Sequence, residues 1–217
     1  MSQILFVMVL QAVIIFAAAG TLSLSRAWIF FGVLLIYYLI SGFIVFKLNP
    51  EVVKERAEMK KDIKPWDKIF GAAYLLSLIA IPLIAGLDAG RYQWSTVSIK
   101  FLVPGLILYI LFSMFAQWAI VVNKYFELYV RIQKDRGHKV IMNGPYSIIR
   151  HPGYAGIIFQ NILFPLIIGS VYAFIPVALL AIFFIIRTEL EDKTLQKELE
   201  GYKEYTKKVK YRLLPGI

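Results

Sequence analysis

With 59% hydrophobic and only 18% charged residues among 217, and a mean hydropathy of +0.67, the chain has too little charge for a water-soluble domain and points to a membrane as its solvent. It has no cysteine, which excludes disulfides, thiolate metal sites and a cysteine nucleophile. Its net charge of +10 comes without a basic motif interleaved with aromatics, so it reads as membrane topology and anionic headgroups rather than nucleic acid.

A bilayer core takes about 20 apolar residues per helix, and six stretches meet or approach that length: 3–20, 28–46, 69–87, 101–122, 154–170 and 172–187. The fold expected is all-α integral membrane, with about six transmembrane helices. The first stretch ends in Ala17-Ala18-Ala19, a possible peptidase site. Met1-Ser2-Gln3 carries no basic side chain, however, so the span is expected to be retained. Trp28, Trp66 and Trp94 lie near span ends, where interfacial anchors belong. Pro82, Pro104, Pro165 and Pro176 fall inside or at the start of spans, where proline is tolerated. The last two stretches are short and joined by a turn at Gly169-Ser170, which predicts a helical hairpin.

Lys and Arg number seven in 47–68, six in 123–153 and eight in 187–217, against Arg26, Arg91 and Lys100 in the alternate loops. That asymmetry puts both long loops and the C-terminus in the cytoplasm, and six spans place the N-terminus there too. The chain divides into the membrane helices of 1–122 and a region, 123–217, where chemistry-bearing residues gather.

No glycine-rich dinucleotide or phosphate loop appears, and no G-x-S-x-G elbow. The only histidines are His138 and His151, so no paired-histidine metal motif exists and no metal is expected. His138 reads as an exposed loop residue without a role. Gln117, Gln160 and Asn161 are costly in lipid and read as hydrogen-bonders between helices.

Two clusters remain. The first is Gly144-Pro145-Tyr146-Ser147-Ile148-Ile149-Arg150-His151-Pro152-Gly153-Tyr154-Ala155-Gly156. Pro152 suits the first turn of a helix, whose N-terminus favours an anionic group; the plainer reading is an interfacial helix start with a snorkelling arginine. The second is Arg187-Thr188-Glu189-Leu190-Glu191-Asp192. Arg187 and Glu191 share a helix face, in the order that stabilises a helix less. Beyond them Leu195, Leu199, Tyr202 and Val209 fall at helical spacing, predicting an amphipathic helix that lies on the membrane or packs over the loop of Arg150 and His151.

Together these residues resemble the isoprenylcysteine carboxyl methyltransferase family and related membrane phospholipid methyltransferases. The resemblance rests on Gly144-Pro145-Tyr146, Arg150-His151-Pro152, Tyr154, Gly156, Arg187, Glu191-Asp192, Leu195, Tyr202, Tyr205, Arg212 and Pro215, spanning roughly residues 140–217. The acid pair is Glu-Asp rather than Glu-Glu, so the resemblance assigns Asp192 no role, and the glycine before the tyrosines is shifted to Gly201. Upstream, Asn49-Pro50-Glu51, Lys64-Pro65-Trp66-Asp67 and Ala85-Gly86-Leu87-Asp88 look like prokaryotic members.

The resemblance implies methyl transfer from S-adenosylmethionine at the cytoplasmic face, to a lipid or lipidated substrate, by carboxyl or amine methylation. It implies a cofactor site at Gly144, Tyr146, Arg150, His151, Pro152, Tyr154 and Glu191, and a reaction centre at Arg187 and Glu191. The chemistry agrees: Arg150 and His151 suit the cofactor's carboxylate, Glu191 its ammonium and tyrosine rings its sulfonium. Arg187 suits a carboxylate acceptor, while Glu191 or His151 suits the proton of an amine. Two other classes stay open: an NADPH-dependent, sterol-reductase-like enzyme and a non-enzymatic transporter or scaffold.

Overall fold

The computed structural model describes residues 2–50, 63–127 and 129–215. Met1, Glu51 and the basic side chains between 51 and 62 lie outside the described residues. Within them every regular element is helical: α1 (Ser2–Ala19), α2 (Ser25–Leu48), α3 (Pro65–Gly86, continued by a π-helical turn Leu87–Tyr92), α4 (Leu102–Val122), α5 (Pro152–Ile168), α6 (Phe174–Glu198) and α7 (Tyr202–Lys208). All six apolar stretches of the sequence fall on α1 to α6. Three helical stretches are long and apolar enough to cross a membrane: Ser25–Leu48, Pro65–Tyr92 and Ile99–Val122. Gln3–Ala19 and Pro152–Ile168 are apolar but shorter.

The packing is that of a protein solvated by lipid. Ile15, Phe30, Ala85, Tyr109, Ile167 and Val177 form one core between the helices, with Phe30 edge-on to Tyr109 and Phe164 at 5.1 and 5.3 Å. Outside it, Phe6, Leu75 and Leu76 are 67%, 63% and 67% exposed, an arrangement that water would oppose and hydrocarbon would not. Gln117 joins α2 to α4, accepting from Tyr37 Oη at 2.9 Å and donating to the Ser41 carbonyl at 3.2 Å. Asn161, expected to reach another helix, instead returns its amide to Ile157 of its own turn, at 2.8 Å. That local bond meets the need of a polar group in lipid with no neighbour's help.

The two ends of the bundle differ in character. At one end Arg26 donates to the Val97 carbonyl at 2.6 Å. There the fully buried Asp88 accepts from Ser95, Ser170 and the Tyr172 amide at 2.6–3.2 Å, tying the π-helical turn to the connection between α5 and α6. At the other end gather the start of α3, the loop 123–151, the start of α5 and the end of α6. Asn49 closes this end by donating to the Ile120 and Val121 carbonyls, both at 3.1 Å.

The expected separate amphipathic helix is corrected. Leu195 belongs to α6, which runs unbroken from the apolar stretch to Glu198. The backbone leaves the helix at Leu199, which is extended, and turns at Gly201, whose φ of +80° lies in the left-handed region that side chains avoid. The seven-residue α7 follows. Of the two placements considered for this segment, the structure shows packing over the loop: Leu199, Tyr202, Tyr205 and Val209 cluster with Ile132, Val140 and Leu195.

Candidate active site

A cleft opens between the loop 123–141, the start of α5, the end of α6 and α7. The open space between these walls, mouth included, is about 780 Å³. Its wall carries six tyrosines, Tyr125, Tyr129, Tyr146, Tyr154, Tyr202 and Tyr205, with the carboxylates Glu127 and Glu191.

Asp192 organises the floor. It is fully buried and meets five side chains. Arg150 donates through Nε and Nη2 at 2.8 and 3.0 Å, and His151 Nε2 lies at 3.3 Å. Gln196, Tyr202 Oη and Arg212 Nε donate at 2.8, 2.9 and 3.3 Å. Burial alone would push this carboxyl up, but the hydrogen bonds and charges of His151 and Arg150 outweigh it and hold it well below the usual carboxylate range. Burial likewise works against the Arg150 charge, and Asp192 reverses that, leaving the guanidinium harder to deprotonate than a free one. The shorter second acid thus has a structural reason: a carboxylate without reach or exposure is what this crossing of loop and tail needs.

Arg150 also straps the tail. Its Nη1 donates to the Val209 and Lys210 carbonyls at 2.8 and 2.7 Å, and the amides of Arg150 and His151 donate to the Tyr211 and Arg212 carbonyls at 3.0 and 2.9 Å. Of the five guanidinium N–H groups, four are thereby engaged within the chain. Tyr205 Oη adds a bond to the Tyr146 carbonyl at 2.6 Å, and Asn123 Nδ2 donates to Tyr146 Oη at 3.0 Å.

Beside this floor stands a second polar group. Tyr154 Oη donates to Glu191 Oε2 at 2.5 Å. Its ring stacks on His151, centroids 5.7 Å apart and 10° between planes, and the Arg187 guanidinium sits 5.0 Å from its centroid. Arg187 in turn grips Asp67, Nε to Oδ1 at 2.8 Å and Nη2 to Oδ2 at 3.2 Å.

Of the residues singled out in the sequence, Tyr146, Arg150, His151, Tyr154 and Glu191 line the cleft. Gly144 opens the turn of 144–147 with its Cα facing Val122 and Trp118, and Pro152 begins α5; both shape the wall from behind. Arg187 stands behind the Tyr154 ring. His138 is not a bystander in the open. It is half-buried in the cleft wall, its ring 4.5 Å from that of Tyr125, and burial, then Arg131 and Arg136, push its pKa down to about 4.

Sequence reasoning quoted Asp67 within Lys64-Pro65-Trp66-Asp67 but missed its role at the site, although a lone carboxylate in the first turn of an apolar helix was a signal. It also missed Gln133, 1% exposed and donating to the Tyr125 carbonyl at 2.7 Å, and Glu127 with Arg131, a two-pronged pair at 2.9 and 3.1 Å. No spacing rule links such residues, because a loop rather than a helix brings them together. Among the described residues no cluster of His, Cys, Asp and Glu could hold a metal ion.

Residues 105–197 match the model of the Isoprenylcysteine carboxyl methyltransferase (ICMT) family. The matched segment takes in α4 from Gly105, the loop, α5 and α6 as far as Lys197, and bears out the family resemblance drawn from the motif residues. The family is one of membrane methyltransferases. No curated protein matches the chain.

Proposed function

We propose that this chain, with its ICMT-family segment, is an S-adenosylmethionine-dependent methyltransferase working at the cytoplasmic membrane face on a lipidic or lipidated acceptor. The observation that carries this reading is the cleft wall, six tyrosine rings with Glu191 among them. A ligand bearing a sulfonium and an ammonium needs aromatic faces and a carboxylate, and the residues present fit that need. S-adenosylmethionine supplies an electrophilic methyl on a positively charged sulfur. Tyr146, Tyr154 and Glu191 are the residues to hold it. Gly144 and Pro152 give the loop its course, while Arg150 and His151, pinned by Asp192, keep it rigid and leave little of Arg150 for the ligand's carboxylate.

Methyl transfer is an in-line displacement, so the chain's task is to align the partners and exclude water. The α7 cover serves the second purpose. A carboxylate acceptor loses no proton, and Arg187, beside Tyr154, is the cation to orient it. An amine acceptor must shed a proton, and Glu191, joined to Tyr154 Oη, is better placed to take it than His151, whose Nε2 faces Asp192. We read α1 to α6 as six crossings, with α5 and α6 as a hairpin and both termini cytoplasmic. The gathering of Lys64, the loop 123–151 and the end of α6 at one end of the bundle supports this; on this reading 1–122 is the membrane scaffold and 123–217 the catalytic region.

The test is transfer of labelled methyl from S-adenosylmethionine into a total lipid extract, with mass spectrometry of the product, alongside calorimetric titration with S-adenosylhomocysteine and NADPH. Binding of the first nucleoside and labelling of a lipid are expected. Binding of NADPH alone would move the chain to the reductase class, and binding of neither to a non-enzymatic one.

A further inference from the structure

Asp67 lies outside the family-matched segment, on the first turn of α3, yet its side chain is fully buried against the reaction centre. Its two oxygens take Nε and Nη2 of Arg187. Its Oδ2 also accepts the amide of Val130, a cleft residue, at 2.6 Å. One turn earlier Lys64 bonds both carboxylate oxygens of Glu198 at 2.8 and 2.9 Å, and its amide reaches the Val130 carbonyl at 3.4 Å. The start of α3 is therefore fastened to α6 at two levels and to the loop at one residue.

A long arginine side chain has many rotamers, but a planar fork gripped at two donors has one orientation. Here that orientation puts the guanidinium over the ring of Tyr154, the residue that holds Glu191. As a source of stability alone, a buried ion pair is a poor device, since apolar side chains of equal volume often do as well. Placement is the better account of it.

We propose that Asp67 is a positioning residue of the methyl-transfer site, holding Arg187 against Tyr154 and coupling that placement to the cleft loop through Val130. The proposal rests on the methyltransferase reading above. It makes the scaffold helices part of the chemistry.

The test uses the full chain in detergent micelles, with label transfer into a total lipid extract for turnover and calorimetry with S-adenosylhomocysteine for cofactor affinity. The variants are Asp67→Glu, Asp67→Asn, Arg187→Ala and the Asp67→Asn/Arg187→Ala pair. Asp67→Glu keeps the buried charge and moves the fork by one methylene, so turnover should fall roughly threefold or more, and for Asp67→Asn roughly tenfold or more, with affinity within about twofold of wild type. The pair should be no slower than Arg187→Ala, within about twofold, because the two side chains act as one unit. A wild-type rate in Asp67→Glu overturns the proposal, whether or not Asp67→Asn folds, since charge without placement would then suffice. So does a double variant that loses the product of the two single losses. If wild type itself binds no S-adenosylhomocysteine, the methyltransferase reading falls and this one with it; if wild type binds and transfers while Asp67→Glu matches it, only the positioning role falls.

Discussion

Asp192 and Tyr154 divide the work of the site between them. Asp192 is spent on structure, so replacing it should act through the fold. At neutral pH Asp192→Asn leaves the buried Arg150 short of its charge partner, a loss of about 3–5 kcal/mol, visible as a lower thermal midpoint in detergent. The pH dependence has a definite sign. A carboxyl held below its ordinary value contributes its full stability above about pH 4 and loses it as the pH falls further toward the folded-state value. Wild type should therefore lose thermal stability on acidification below that point, and Asp192→Asn should show a shallower decline. Tyr154→Phe keeps the ring under Arg187 and removes only the bond to Glu191. Cofactor affinity should hold within about threefold while turnover falls by roughly 10²-fold or less, the scale of one lost positioning or proton-handling group. Equal loss of both would place Tyr154 in binding alone. At this scale the sequence was informative where spacing carries meaning, as at Arg150-His151 and Arg187-Glu191. It gave Asp67 no role, because a helix turn more than a hundred residues away in the chain leaves no local signature of its partner.

α5, which carries Tyr154 into the cleft, packs against α4, and the two helices approach closely at Gly156. A Cβ on Gly156 would sit 2.6 Å from Ala116 Cβ and 3.0 Å from the Phe112 carbonyl oxygen, neither of which can swing aside. Phe112 and Phe159 stack nearby at 4.5 Å. Gly156→Ala should force the helices apart at a cost of about 1–3 kcal/mol. Because Tyr154 rides on the same turn, affinity for S-adenosylhomocysteine should drop together with the thermal midpoint. Gly32→Ala, where nothing stands within 4 Å, is the control and should change neither. Helix existence was legible throughout from hydropathy, since lipid demands apolar residues on every face. What hydropathy could not show was that α6 continues through Arg187-Thr188-Glu189-Leu190-Glu191-Asp192 without a break. The charged turns and the apolar ones use the same backbone, and the stop comes only at Leu199, with the turn at Gly201 behind it.

For the molecule as a whole, the absence of cysteine makes sidedness easy to measure. Lys100→Cys should react with an impermeant maleimide in intact cells, and Lys134→Cys only after the membrane is opened. The reverse pattern would invert the proposed orientation. The concentration of charge at one end of the bundle was readable from loop counts, whereas the shape of the cleft was not, because its wall is a loop folded on buried Gln133, Glu127 and Arg131 rather than on a periodic element. Arg150 and His151 are synthesised well before the Val209, Lys210, Tyr211 and Arg212 carbonyls that take their N–H groups. In chain order the strap comes last, so the floor of the cleft can close only once the tail is made. A chain ending before residue 209 would keep the pair of Arg150 with Asp192 but lose the four carbonyls of the strap, leaving Nη1 of Arg150 and the amides of Arg150 and His151 to find water instead.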